Sequence, residues 1–198
     1  MVLGTGDAGE IAEGGGQSLG SYRNPVSGVS WYDVLKWCNA LSELQGLVPV
    51  YTVSGGVYRT GQPDPASVVA NAAASGFRLP SMAEWEWAAR AGDNGPQVQY
   101  AWGREWTSRR SNTMPTVDSF SEGSLTVPVG SYPSGTTGWG AYEMTGNVWE
   151  WCFGIAGTLQ SAKGGGFGTP LSNSSLSSTI AFDPSHRNGD VGLRVIRN

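Results

Sequence analysis

Two glutamates, Glu143 and Glu150, are the side chains of this sequence best placed to do chemistry. The turn-forming stretch Thr-Gly-Asn at positions 145–147 lies between them. Two carboxylates on either side of such a turn can surround a hard cation, and the turn carbonyls can supply further oxygen ligands. The spacing therefore allows a cation site here. The alternative is that both glutamates simply face solvent.

Other reactive side chains are few. His186 is the only histidine, which excludes a metal centre with two or three histidine ligands. Asp183 and Asp190 lie near it, but no nucleophile elbow accompanies them, so His186 is interpreted as a surface loop residue. Cys38 and Cys152 lie in a helix pattern and a strand pattern, which favours buried free thiols over a single disulfide.

Local patterns predict the elements that position these residues. Residues 148–152 alternate, so a strand would send Trp149 and Trp151 to the core and Glu150 to the opposite face. Residues 30–33 and 81–84 both have capping-box patterns, which predict one helix through about residue 42 and a second helix ending at Gly92. Residues 48–59 predict a hairpin around 54–56. The expected buried stripe of the first helix is Trp31, Val34, Leu35, Cys38 and Leu41.

Composition predicts one loop-rich α+β domain over residues 1–198, with residues 1–24 loosely ordered. The chain has 30 glycines and nine tryptophans but only 14% charged residues, so the core depends on a few large aromatic side chains. A net charge of −4 without a basic cluster argues against nucleic acid as a partner. No apolar run is long enough to span a membrane, and the N-terminus lacks a signal-peptide pattern. A monomer is expected.

Four segments in order resemble motifs of the formylglycine-generating-enzyme (sulfatase-modifying factor) family, a branch of the C-type-lectin-like fold. They are SGVSWYD at 27–33, FRLPSMAEWEWAARAG at 77–92, GNVWEW at 146–151 and VGLRV at 191–195. The resemblance covers roughly residues 25–198. It implies an α+β fold in which two helices surround a small, mainly antiparallel sheet.

The resemblance also implies a structural calcium ion at the central run. Its ligands would be the side chains of Glu143 and Glu150 and the carbonyls of Gly146 and Val148, although Glu143 replaces the shorter Asp or Asn usual there. A second cation is implied in the loop that follows the second helix. Its candidate ligands are Asn112, Asp118, Ser121 and Glu122, and a solvated loop is the favoured interpretation of that stretch.

The enzymes of this family use two cysteines before the last strand to handle copper, oxygen and the substrate thiol. Counting back from Gly192 without gaps places Ser172 and Ser177 at those positions. A hydroxyl is not ionised at neutral pH and is a poor ligand for copper(I). The sequence therefore predicts neither oxidase activity nor bound copper.

The C-terminal part, residues 163–198, resembles the variable proteins of diversity-generating retroelements, in which small polar codons vary before the last strand. This resemblance implies a non-catalytic, surface-displayed protein that binds a protein or another surface ligand. Other interpretations are an accessory family member that has lost the oxidase site, an enzyme of unrecognised chemistry, or an ordinary Ser/Asn-rich loop. The candidate ligand-binding residues are Ser172, Ser175, Ser177, Thr179, Phe182, Ser185, His186, Arg187 and Asn188.

Overall fold

The computed structural model describes residues 24–92, 98–105, 110–114, 126–156 and 158–197. Within these ranges lie two α-helices, nine strands and three short 3₁₀ helices. The helices are α1 (Trp31–Leu44) and α2 (Met82–Ala89). The strands are β1 (Tyr51–Val53), β2 (Gly56–Val57), β3 (Val68–Ala70), β4 (Phe77–Arg78), β5 (Trp149–Ala156), β6 (Leu159–Lys163), β7 (Thr179–Phe182), β8 (Val191–Gly192) and β9 (Ile196–Arg197).

Both helices begin at the predicted capping boxes. The Ser30 and Ser81 hydroxyls accept hydrogen bonds from backbone amides three residues on, and the carboxylates there accept from the cap amides. The end of α2 was predicted wrongly. It lies at Ala89 rather than at Gly92, because Ala91 already has a positive φ of 52°. The predicted stripe of α1 is buried except for Leu41, which is half-buried.

The strands form three sheets, ordered β2-β1-β3, β4-β9 and β7-β6-β5-β8. The predicted hairpin is confirmed as β1 and β2, and β5 runs antiparallel to β6 but parallel to β8. Strands β3, β4, β6 and β7 were not predicted, and β7 lies inside the Ser/Asn-rich stretch that holds the candidate ligand-binding residues. The last strand implied by the VGLRV motif at 191–195 is instead two short strands, β8 and β9, which belong to different sheets.

Strand β5 separates two clusters of buried side chains. On one face, Trp149 and Trp151 pack with α1 and the β1 sheet, as the alternating pattern predicted. On the other face, Cys152 packs with Trp85 of α2. Cys38 and Cys152 are both free and buried, as favoured from the sequence, and burial raises the pKa of each thiol.

Two sequence expectations fall mainly outside the described residues. These are the loose ordering of residues 1–24, of which only Asn24 is described, and the second cation, for which only Asn112 is described. Among the described residues, no helix has the length and apolar character needed to cross a bilayer.

Replacing Trp149 with Ala should lower the free energy of unfolding by about 3 to 5 kcal/mol. Its side chain is 5% exposed, so truncation leaves a cavity in the cluster beside α1. Urea melts of both proteins measure the loss. Trp139→Ala is the matched control because Trp139 is 50% exposed, and it should cost much less. A loss under about 1 kcal/mol for Trp149→Ala would mean that β5 is not central to the core.

The capping box of α2 should make stability depend on acid pH. Hydrogen bonds from the Arg78 guanidinium, together with those from the Ser81 amide and hydroxyl, lower the pKa of Glu84 to about 2 against the opposing effect of burial. This stabilisation is therefore complete above the ordinary glutamate pKa of 4.5 and is lost as pH falls from there through about 2.

Comparison with Glu84→Gln isolates that contribution. The difference in urea midpoint between the two proteins should be large at neutral pH and should shrink steadily below the unfolded pKa. A difference that stays constant down to the acid limit would show that ionised Glu84 contributes no pH-dependent stability.

Candidate functional site

Glu150 lies at the centre of a buried polar cluster. The Arg194 guanidinium donates to both of its carboxylate oxygens, with Nη2 to Oε1 at 2.7 Å and Nε to Oε2 at 2.9 Å. Trp85 Nε1 donates to Oε2 at 2.6 Å, and Arg194 Nη2 also donates to the carbonyl of Tyr142. The side chains of Glu150 and Arg194 are only 5% and 7% exposed. The cluster therefore joins β5, α2 and the segment between β8 and β9.

Arg194 keeps its positive charge in this environment. Burial alone would lower its pKa, but the charge of Glu150, the hydrogen bonds between the two side chains and the charge of Glu143 together raise it. Glu150 and Arg194 therefore form a buried ion pair. Removal of either residue would leave the charge of the other buried without a partner.

Glu143 is held separately from this pair. Its two carboxylate oxygens accept hydrogen bonds from the backbone amides of Gly130, at 2.9 Å, and Tyr132, at 3.3 Å. Glu143, Gly146 and Asn147 all have positive φ, so the turn between the two glutamates is sharply folded. Asn147 fastens this turn by donating its backbone amide to the carbonyl of Asn112.

These contacts do not fit a calcium ion bound by Glu143, Glu150 and the carbonyls of Gly146 and Val148. A guanidinium already occupies both oxygens of Glu150, and a second cation there would be repelled by Arg194. Among the described residues, no group of three or more His, Cys, Asp or Glu side chains could hold a metal ion. Calcium binding stays a prediction that none of these contacts supports.

The candidate ligand-binding residues all reach solvent. Ser172, Ser177, Thr179, Ser185, Arg187 and Asn188 are exposed, and Ser175, Phe182 and His186 are half-buried. We call these nine residues the recognition surface. They are carried by the 3₁₀ helix Leu171–Asn173, by β7 and by the loop that leads to β8. Ser172 and Ser177, which occupy the positions of the two enzyme cysteines, are therefore exposed. The two cysteines of this chain are buried in other parts of the fold.

An aromatic stack forms the largest group of the recognition surface. The rings of Phe182 and His186 are parallel, with centroids 4.4 Å apart, and the edge of Phe182 meets Trp151 in the core. The exposed side chain of Arg187 pairs with Asp33 at 2.6 Å, the acidic residue in the capping box of α1. The ligand candidates Phe182 and Arg187 therefore also have structural contacts.

The Thr179 hydroxyl accepts a hydrogen bond from a buried lysine. Lys163 is 0% exposed, and its ammonium donates to Glu86 at 2.7 Å and to the Thr179 hydroxyl at 3.0 Å. It also lies 5.8 Å above the ring of Trp85. Lys163 and Thr179 face each other across β6 and β7, so an exposed position of the recognition surface contacts the interior directly.

Several buried polar atoms near this surface lack hydrogen-bond partners within the described structure. They include His186 Nε2, Asp190 Oδ1 and both amide atoms of Gln160, whose backbone is in register with Phe182. Burial raises the pKa of Asp190. An unsatisfied buried polar atom costs about 1 to 3 kcal/mol, so water or a ligand group is needed to complete these sites.

The most important contacts of the site were not predicted from sequence. Arg194 was considered only as part of the VGLRV motif at 191–195, and no contact was predicted for Lys163. Both side chains are buried basic groups, and such groups are rarely buried without a partner of opposite charge. The identity of each partner depends on pairing between distant elements.

Comparison with known proteins begins with relatives in sequence. Over 200 residues the chain is 30% identical to "Chaperone protein LppX" of Paenibacillus barcinonensis, with 88% of this chain and 70% of that protein covered. It is 45% identical over 92 residues to the formylglycine-generating enzyme of Thermomonospora curvata, which covers 42% of this chain and 29% of that enzyme. It is 42% identical over 81 residues to the bovine "Inactive C-alpha-formylglycine-generating enzyme 2", which covers 38% of this chain and 26% of that protein.

A solved structure confirms the predicted fold class. The structure of Treponema denticola variable protein 1 superposes with a TM-score of 0.70 at 24% identity and covers 91% of this chain and 74% of that one. The fold is thus α+β and C-type-lectin-like, as the resemblance implied. The family model for the sulfatase-modifying factor enzyme 1-like domain matches residues 9–198. This chain therefore belongs to the sulfatase-modifying factor enzyme 1-like family, the family to which its four motifs pointed.

Proposed function

We propose that this chain is a non-catalytic binding protein whose ligand contacts the recognition surface between residues 172 and 190. The observation that carries the proposal is the half-buried Phe182–His186 stack, with the exposed serines Ser177 and Ser185 in the same segment. Such a mixture of an aromatic anchor and adaptable small polar groups is typical of protein-binding loops.

The backbone of this segment is fixed at several points, which lowers the entropy cost of binding. Pro184 accepts a hydrogen bond from Trp31 N, Asn188 accepts one from Gly28 N, and Leu176 N donates to Gln99. A ligand therefore meets side chains already held near their binding geometry.

Glycines let this segment approach the sheet closely. Gly165 has a φ of 82°, and a Cβ on it would lie 2.9 Å from Ser174 Cβ. A Cβ on Gly166 would lie 2.8 Å from that of Asp190. The segment 164–166 therefore packs closely against Ser174 and Asp190, which flank the recognition surface.

A polypeptide is the ligand class that we favour. The relative from Paenibacillus barcinonensis is named a chaperone protein, and the aromatic, imidazole and hydroxyl groups of the surface suit contact with another protein. The net charge of −4 and the pairing of Arg187 with Asp33 give no support to a nucleic acid partner. Display at a cell surface is part of the same proposal.

A second candidate function is an accessory role for a family member that lacks oxidase chemistry. The bovine relative is named inactive, which favours this candidate. Here the oxidase positions are the exposed hydroxyls of Ser172 and Ser177, and burial raises the pKa of both cysteine thiols elsewhere in the fold. Neither candidate function involves catalysis. They differ in whether the recognition surface selects a ligand.

Replacing Ser172, Ser177 and Ser185 together with Ala should change binding without unfolding the domain. These side chains are exposed, so the melting temperature should stay within a few degrees. A random peptide library selected on the immobilised wild-type protein supplies the probe. The triple variant should bind the best selected peptide at least tenfold more weakly in calorimetry.

Thr60, Ser67 and Ser134 provide the matched control, because they are exposed small polar residues on other surfaces. Their triple Ala variant should bind the peptide as the wild type does. Phe182, Thr179 and Arg187 are left out of the test set because each has a contact with the fold. A peptide that binds the test variant unchanged, or a test variant that unfolds, would rule out this surface as an adaptable binding site.

The purified protein supplied with copper should form no aldehyde on a cysteine-containing sulfatase-type peptide. A serine hydroxyl cannot replace the thiolate that the oxidation requires. Mass spectrometry of the peptide measures the product, and the enzyme from Thermomonospora curvata serves as the positive control. Aldehyde formation above the no-protein blank would show that the chain is an enzyme after all.

A further inference from the structure

Asn188 and Gly189 form an Asn-Gly pair in the exposed loop that leads into β8. In such a pair the backbone nitrogen of the glycine can attack the side-chain amide of the asparagine, because glycine has no Cβ to hinder the approach. Gly189 N lies 2.7 Å from Asn188 Oδ1 and donates a hydrogen bond to it. The carbon that carries this oxygen, Cγ, is therefore within reach of the nitrogen.

The fold also stabilises the reactive form of this nitrogen. The carbonyl oxygen of Asn188, in the same peptide group, accepts hydrogen bonds from Gly28 N and Val191 N, each at 3.0 Å. When Gly189 N loses its proton, amide resonance spreads the negative charge onto that oxygen. The two backbone donors therefore stabilise the anion as the donors of an oxyanion hole do.

Both residues of the pair are open to water. Asn188 and Gly189 are exposed, and within the described structure a Cβ on Gly189 would meet no atom within 4 Å beyond its chain neighbours. Hydroxide or a buffer base can therefore remove the proton of Gly189 N, and water can take part in the later hydrolysis.

We propose that Asn188 is a site of spontaneous deamidation, through a succinimide formed with Gly189 N. The nitrogen loses its proton to base and bonds to Asn188 Cγ. The Cγ–Nδ2 bond then breaks, and Nδ2 takes up a proton and leaves as ammonia. Water opens the five-membered ring at either carbonyl, which gives aspartate or isoaspartate.

This modification changes the recognition surface, to which Asn188 belongs. Aspartate replaces a neutral amide with a carboxylate, and isoaspartate also adds a methylene to the main chain just before β8. The added methylene displaces the carbonyl that Gly28 N and Val191 N contact. An effect on ligand binding rests on the proposed function, whereas the deamidation itself does not.

Incubation of the purified protein at neutral pH, followed by peptide mapping with mass spectrometry, tests the proposal. Isoaspartyl methyltransferase detects the isoaspartate. The free peptide of residues 183–194 is the comparison, because it has the same Asn-Gly pair without the hydrogen bond from Gly28. Asn188 should react about tenfold faster in the folded protein, the effect of one hydrogen bond to a charged group.

Gly189→Ala is the matched variant. Gly189 does not have a positive φ and its surroundings are open, so Ala should leave the melting temperature unchanged. Its Cβ should slow deamidation of Asn188 by about tenfold or more. Asn173 is the internal control because it is exposed but precedes Ser174, and it should stay intact. Peptide mapping separates Asn188 from Asn94, which also precedes a glycine and lies outside the described residues.

Two outcomes would overturn the proposal. A rate in the folded protein equal to or below that of the peptide would show that the fold does not activate Asn188. Unchanged deamidation in Gly189→Ala protein with the wild-type melting temperature would exclude the succinimide route. If the variant does not fold, the comparison of protein with peptide still decides the question.

Discussion

The buried ion pair of Glu150 and Arg194 is the interaction on which the rest of the structure depends. It joins the central strand β5 to the C-terminal segment, and Trp85 adds α2 through its indole hydrogen bond. Loss of one member would leave a charge with no partner in the core, which commonly costs about 3 to 5 kcal/mol. A site that resembled a cation site in sequence therefore contains a cation supplied by the chain itself.

Whether a feature of this fold could be predicted from sequence depends on how far apart the interacting residues lie along the chain. The capping boxes at Ser30 and Ser81 and the alternation around Trp149 are local, so the sequence predicted them correctly. Strands β3 and β7 are only three and four residues long, and they are strands only because β1 and β6 pair with them. No local pattern reports that pairing.

Prediction of the candidate site was limited by sequence separation in the same way. Exposure of Ser172, Ser177 and Ser185 could be predicted because small polar residues rarely build a core, although Ser174 beside them is buried. The partner of Glu150 could not, since Arg194 follows it by 44 residues and meets it only when β5 and β8 align in parallel. A carboxylate between two tryptophans is compatible with a metal, a guanidinium or solvent, and only tertiary pairing distinguishes them.

Residues of the recognition surface differ in whether their side chains contact the rest of the fold. Phe182 contacts Trp151, Thr179 contacts Lys163 and Arg187 contacts Asp33, so a change at any of these three alters a core or capping interaction. Within the part of the chain that the structure describes, the exposed serines instead hydrogen-bond to neighbouring residues of the same segment. The hydrogen-bond partner is Asn173 for Ser172, Ser175 for Ser177 and Asp183 for Ser185.

This division limits how such a surface can change its specificity. Positions with contacts confined to the segment can vary at a cost of about 0.5 kcal/mol or less each, because neither the core nor a cap responds. The positions tied to Trp151, Lys163 and Asp33 can vary only toward side chains that keep those contacts. Sequence diversity should therefore concentrate at the serines, while the anchors keep the geometry in which the serines are presented.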